Sequence, residues 1–123
     1  MKNGTITMAD GRIVGFADYG SSAHTALLWC HGGPGNRLEP AYVADEAARA
    51  GIRLIGMDRP GYGLSTPQPD RTIGGWVGDA LAVMDHLGID RFLVLGVSTG
   101  GAYALAVASL TFSLIGMRVR QGL

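Results

Sequence analysis

Three times along this chain a short apolar run stops at a cluster of glycines, and that arrangement restricts the fold most. Thr25 to His31 runs into Gly32-Gly33-Pro34-Gly35. Ile52 to Asp58 opens into the Gly/Pro-rich stretch Arg59 to Pro69. Phe92 to Val97 reaches Gly96-Val97-Ser98-Thr99-Gly100. Compact apolar runs of this length, without polar alternation, suit strands covered on both faces. Helical patterns fall between them. Pro40 to Ala50 is a weak one with Gly51 as its stop. Thr72 to Leu87 is the best. Ile73, Trp76, Val77, Ala80, Leu81, Met84 and Leu87 recur at i, i+3, i+4 and i+7, Thr72 can cap the start, and Gly88 can end it. Ahead of these, Ile6 to Tyr19 reads as two short strands around Asp10-Gly11.

The pattern turns helical again from Gly100. Gly96 to Met117 carries no charge, and that length approaches a membrane span of about 20 residues. Its Ser, Thr and Gly content favours a helix buried against the sheet. Strands alternating with helices predict an α/β fold with a predominantly parallel sheet, an N-terminal antiparallel hairpin and flanking helices. In such sheets ligands sit beyond the carboxyl ends of the strands. All three glycine-rich segments fall at those ends, so they should meet in space.

Ser98 stands in a G-x-S-x-G placed between a strand and a helix. That context asks for a very sharp turn, with Gly96 and Gly100 leaving room for the neighbouring backbone and the serine hydroxyl exposed. The helix dipole then favours negative charge at Ser98. His31-Gly32-Gly33-Pro34-Gly35 also follows a strand. Acyl transfer builds an oxyanion that needs backbone N–H groups aimed at it in advance. Gly33 and Thr99, the residue after the serine, are the candidate donors, although Gly-Gly-Pro-Gly also makes simple turns. A dinucleotide site is poorly supported, because Gly96-x-Ser98-x-x-Gly101 lacks the middle glycine of that fingerprint, and no phosphate-loop motif is present. Asp58 and Arg59 are expected to brace their loop or pair with neighbours, not to act as acid or base.

In this order and spacing the three segments resemble the α/β-hydrolase fold superfamily, over nearly the whole chain to about Ser109. His31 to Gly35 is similar to the loop of proline iminopeptidase-like members. Asp58 to Ser65 and Ser98 to Gly101 look more like general esterase or haloperoxidase-like members. The resemblance implies hydrolysis of an ester, amide or related bond of a small molecule through an acyl-serine intermediate. Ser98 would be the nucleophile at an elbow shaped by Gly96 and Gly100, with Gly33 and Thr99 N–H groups as the oxyanion hole. His31, Gly32, Pro34 and Gly35 would brace the loop. A serine at the elbow argues against dehalogenase and epoxide-hydrolase relatives, which place an aspartate there.

The family's triad runs Ser, then Asp or Glu, then His, yet no Asp, Glu or His follows Ser98. His24, His31 and His86 all lie upstream. His24 reads as a loop residue, His86 as solvated, and His31 as a brace of the loop. The expectation is an incomplete α/β-hydrolase core: one domain over residues 1–123, N-terminal half only, with an atypical tail at 110–123. A chain of 123 residues is short for such folds, which often run to roughly 200–250. Turnover by the isolated chain should be very weak or nil. The alternative is a non-catalytic remnant or binding module that keeps the α/β core. If the second half is missing, the sheet edge at Phe92–Val97 is left exposed and predicts self-association.

Formal net charge is zero, so nothing points to nucleic acid or an anionic membrane. The single cysteine, Cys30, allows no intrachain disulfide and no Cys-based metal site. No His/Asp/Glu cluster shows ligand spacing, so neither metal nor cofactor is expected. The start, Met1-Lys2-Asn3-Gly4-Thr5, lacks an apolar signal region, and a reducing cytoplasmic setting fits best.

Overall fold

Gly11, at φ +89°, reverses the chain between strands β1 (Lys2–Thr7) and β2 (Ile13–Asp18), which pair antiparallel. This backbone conformation suits glycine because it has no Cβ. The structure, a computed structural model, describes residues 1–20, 25–114 and 117–120, with side chains described for 1–20 and 25–110. The first strand begins at Lys2, earlier than Ile6, where apolar alternation starts. An outer strand needs no continuous apolar run, and Lys2 pairs opposite Asp18.

Next come β3 (Thr25–Cys30), a 3-10 turn at Glu39–Val43, helix α1 (Ala44–Arg49), β4 (Ile52–Met57), α2 (Ile73–His86), β5 (Phe92–Gly96) and α3 (Gly100–Leu110). The sheet order is β1-β2-β4-β3-β5. β2 runs antiparallel to β4, while β3 is parallel to both β4 and β5. β3 therefore lies between strands reached by crossovers on either side of it. Ligand crevices open at this kind of switch point.

Local signals explain the helices. The Thr72 hydroxyl accepts from the Gly75 N–H at 2.9 Å and caps α2. Gly88 at φ +71° ends it, while the Ile89 N–H bonds the Met84 carbonyl at 2.8 Å. The apolar stripe begins at Trp76, not at Ile73, which is 44% exposed on the first turn, ahead of the residues that meet the sheet. One buried position is charged. Asp79, 3% exposed, takes both oxygens to Arg12 at 2.8 Å each, tying the N-terminal hairpin to α2.

The core lies on the face carrying Leu28, Cys30, Ile55 and Met57, which packs with Val14, Phe16, Trp76, Val77, Ala80, Met84, Ala104 and Val107. Burying each large apolar side chain there contributes about 1.5–3 kcal/mol. The opposite face is thinner, since α1 has no buried residue. An apolar groove of about 270 Å³ runs past Leu27, Trp29, Ala47 and Leu95. Leu93 and Leu95 are 55% and 37% exposed on β5, which pairs only with β3 among the described residues.

The tail corrects one expectation. α3 stops at Leu110, and β6 (Thr111–Leu114) pairs antiparallel with β7 (Met117–Arg120) in a separate two-stranded sheet. A helix reaching Met117 is not formed. Thr-Phe-Ser-Leu and Met-Arg-Val-Arg alternate with period two, with β-branched and aromatic residues among them, which favours strands over a continued helix. Among the described residues no helix is long and apolar enough to cross a membrane.

Candidate active site

β5 passes into α3 through a turn in which the Val97 N–H still bonds the Cys30 carbonyl at 3.1 Å. The Gly100 N–H then bonds the Val97 carbonyl at 2.8 Å, and the Gly101 N–H bonds the Ser98 carbonyl at 3.0 Å. Ser98 has φ +53°, the sole positive φ of a non-glycine residue among those described. Such a conformation costs on the order of 1–3 kcal/mol and persists only where its surroundings enforce it. Two glycines make room. A Cβ at Gly96 would lie 2.5 Å from both the Gly100 carbonyl oxygen and the Gly101 Cα. One at Gly100 would lie 2.5 Å from the His31 carbonyl oxygen and inside contact distance of the Cys30 carbonyl. Ser98 and Thr99 are both exposed.

The loop after β3 sits against this turn. The positions a Cβ would take at Gly32 and Gly33 are 3.5 Å from Ser98 Cβ and 3.3 Å from Thr99 Oγ1. Gly33 also lies beside Tyr62 of the third segment, 3.5 Å from its hydroxyl by the same measure. The three glycine-rich segments therefore converge at one end of the sheet. The Gly33–Pro34 peptide is cis, and Gly35 turns closely over the Gly32 carbonyl. Pro34 is exposed and Gly35 half-buried. Among the described residues neither the Gly33 N–H nor the Thr99 N–H donates a hydrogen bond, and the Ser98 hydroxyl has no partner.

His31 is buried beneath the loop. The Arg59 backbone N–H donates to its Nε2 at 3.2 Å. The ring proton therefore sits on Nδ1, which donates to the Gly32 carbonyl at 2.6 Å. Burial holds the imidazole pKa below its ordinary value of 6.5, and the nearby Arg59 charge adds to this. With both nitrogens engaged and the ring neutral, His31 is placed to hold the loop and not to take a proton from Ser98. His86 is exposed on α2, its ring edge-on to Phe16 at 5.8 Å. His24 lies outside the described residues.

The depressed His31 pKa has a consequence for stability. Below pH 6.5 the unfolded chain binds a proton that the folded chain refuses. Stability is thus full above 6.5 and falls as pH drops from there toward the folded-state pKa. The slope is at most about 1.4 kcal/mol per pH unit, the value for one proton. Urea titrations between pH 8 and 5.5 should show the loss. It should persist in the double variant His24→Gln/His86→Gln, where His31 is the sole histidine. A flat profile in that variant would contradict the assignment.

One residue at the site, Glu39, carried no signal in the sequence. Glu39 Oε2 accepts from the Gly32 N–H at 3.0 Å and from Trp29 Nε1 at 2.9 Å, so it fixes one peptide of the loop. Asp58 is fully buried and accepts from the Arg37 N–H at 2.7 Å, the Leu64 N–H at 2.8 Å and the Arg37 guanidinium at 3.1 Å. Arg59 packs its guanidinium over Tyr103 and Tyr62 and bonds the His31 carbonyl. Asp58 and Arg59 therefore brace and pair, as their position suggested. Burial pushes the Cys30 thiol pKa up to about 12, so it offers no competing nucleophile. Among the described residues no group of three or more His, Cys, Asp or Glu stands together as a metal site.

Residues 25–117 match the model of a family described as alpha/beta hydrolase fold. The proline iminopeptidase of Clostridium botulinum is 38% identical over 85 residues, 67% of this chain and 29% of that protein. That of Xanthomonas citri is 31% identical over 115 residues, 88% of this chain and 35% of that protein. Among solved structures, a proline iminopeptidase-related protein of Thermus thermophilus superposes with a TM-score of 0.73 at 27% identity. The superposition covers 88% of this chain and 40% of that one. The chain spans about a third of the length of the curated relatives it matches.

Proposed function

The chain belongs to the alpha/beta hydrolase fold family, and from that premise we propose that it carries the nucleophile and oxyanion hole of a serine hydrolase. The observation that carries this reading is Ser98 at φ +53°, exposed between two glycines that tolerate no side chain. Ser98 Oγ forms a bond to the substrate carbonyl carbon as its proton passes to water, which returns it to the leaving group. The carbonyl electron pair moves onto oxygen, to which the Gly33 and Thr99 N–H groups donate hydrogen bonds. Collapse of that intermediate expels the protonated leaving group and leaves an acyl-serine, which water then hydrolyses.

A serine needs a positioned base to be a good nucleophile, and no Asp, Glu or His follows Ser98. Turnover by this chain is therefore expected to be very weak. Loss of the triad leaves a residual of about 10³–10⁴ over water in such enzymes. The bond is an ester, amide or related one. The naming of several relatives as proline iminopeptidases makes a prolyl amide the first substrate to set against a simple ester. A reducing, cytoplasmic setting belongs to the proposal, supported by a single cysteine that is buried.

A fluorophosphonate probe tests the reading. Slow labelling of the folded chain, lost in Ser98→Ala, is the expected result. Labelling that survives in Ser98→Ala would move the nucleophile elsewhere. No labelling of a folded sample would favour a non-catalytic binding module. Hydrolysis of a p-nitrophenyl ester at ordinary esterase rates would refute the expected weakness.

A further inference from the structure

Arg59 is 2% exposed, yet among the described residues no carboxylate pairs with it. A buried charge without an opposite charge is costly and rarely kept unless something depends on it. Here the guanidinium is held by rings. Its Cζ lies 4.3 Å from the Tyr103 ring centroid and 5.6 Å from that of Tyr62, within reach of cation–π attraction. Burial lowers its pKa from the ordinary arginine value. Tyr103 belongs to the first turn of α3, whose N-terminal end already carries partial positive charge. Arg59 thus adds a full positive charge where the helix dipole gives it no support.

Its contacts indicate what the charge does. The Arg59 side chain donates to the His31 carbonyl, and its backbone N–H donates to the imidazole Nε2 of the same residue. His31 is gripped at both ends by one residue. The same His31 carbonyl is, with that of Cys30, one of the two against which Gly100 packs without a Cβ. Arg59 opens the segment that also carries Tyr62, whose hydroxyl lies beside Gly33. It therefore belongs to one of the three segments, is bonded to the second, and holds the His31 carbonyl that faces Gly100 of the Ser98 turn.

We propose that Arg59 is the positioning residue of this site, locking the His31–Gly35 loop to the Ser98 turn and leaving an uncancelled positive charge beneath it. The inference rests on the hydrolase reading, because its use is to stabilise the anion that develops at Ser98 and in the oxyanion hole. A carboxylate partner would stabilise Arg59 but cancel that field. Rings hold the cation without neutralising it.

The test compares the wild-type chain with Arg59→Met and Arg59→Lys. Three quantities are read: thermal stability, the rate of Ser98 labelling by a fluorophosphonate, and the amide shifts of Gly33 and Thr99 by NMR. Arg59→Met removes the charge and the grip but keeps apolar bulk between the two tyrosines. It should melt near the wild type, label roughly ten- to a hundredfold more slowly, and shift both amides. Arg59→Lys keeps the charge without the planar fork and should label at an intermediate rate. A merely structural arginine would lose stability and labelling in proportion. Wild-type labelling in Arg59→Met, or unmoved Gly33 and Thr99 amides, overturns the proposal. If the wild-type chain itself is not labelled, the hydrolase reading fails, and the amide shifts alone decide whether Arg59 positions the loop. If Arg59→Met does not fold, the labelling rate and amide shifts of Arg59→Lys decide in the same way.

Discussion

Replacing Asp58 by alanine should destabilise the chain by about 3–5 kcal/mol, the cost of stranding the partner of a buried charge. Asp58 is fully buried, and its two oxygens accept three hydrogen bonds: from the Arg37 N–H, the Arg37 guanidinium and the Leu64 N–H. Its backbone is engaged as well, with the Ser65 hydroxyl donating to its carbonyl at 2.6 Å and its N–H donating to the Gly15 carbonyl at 2.9 Å. Truncation leaves the Arg37 guanidinium, 12% exposed, without its carboxylate partner and two amides without acceptors. Domains of this size are stable by only about 5–15 kcal/mol, so the variant should sit close to the unfolding threshold at 25 °C. Asp58→Asn should recover only part of the loss, since its amide group would face donors. Denaturant titration of both variants measures this. A loss under about 1 kcal/mol for alanine would mean that water reaches the pair.

Gly100→Ala should act against helix propensity. At an ordinary helical glycine, alanine is better by about 1 kcal/mol. At Gly100 the new methyl would press on the Cys30 and His31 carbonyl oxygens. Those are backbone atoms at the end of β3, held in register by the Val97 N–H bond to the Cys30 carbonyl. Neither side can give way without opening the β3–β5 ladder. Overpacking of this kind typically costs about 1–3 kcal/mol, occasionally more. Gly78 supplies the control. It lies within α2, and a Cβ there meets nothing within 4 Å, so Gly78→Ala should be stabilising. Melting curves of the two variants should move in opposite directions. Gly100→Ala should also lose probe labelling, because the displaced turn carries Ser98. If both variants melt higher than the wild type, the close approach at Gly100 is absent.

Much of the fold was legible because it is coded locally. The cap at Thr72 and the stop at Gly88 are decided by groups within a turn of the helix end, and they bound α2 where the residues suggested. The apolar runs at Thr25, Ile52 and Phe92 became β3, β4 and β5, because compact runs between glycines have few other ways to bury themselves. The convergence of the glycine-rich segments follows from topology: parallel strands point their carboxyl ends one way. The tail was less legible. Its alternation extends over only four residues on each side, too short to outweigh the helical pattern before it.

What the sequence determined by itself was the order of elements as far as α3, the sharp turn that presents Ser98, and the gathering of three glycine-rich loops at one end of a mostly parallel sheet. What only the tertiary structure decided was the set of long-range partners. Arg12 finds Asp79 across 67 positions, Glu39 takes the Gly32 amide, and Arg59 grips His31 from 28 positions away. A charged residue looks the same in sequence whether it is solvated, paired or enclosed by rings. Its role is fixed by burial and by which dipoles surround it, and those exist only once distant segments have packed. Ser98 is placed by glycines two residues to either side, whereas the electrostatic environment around it is set by chain brought in from elsewhere.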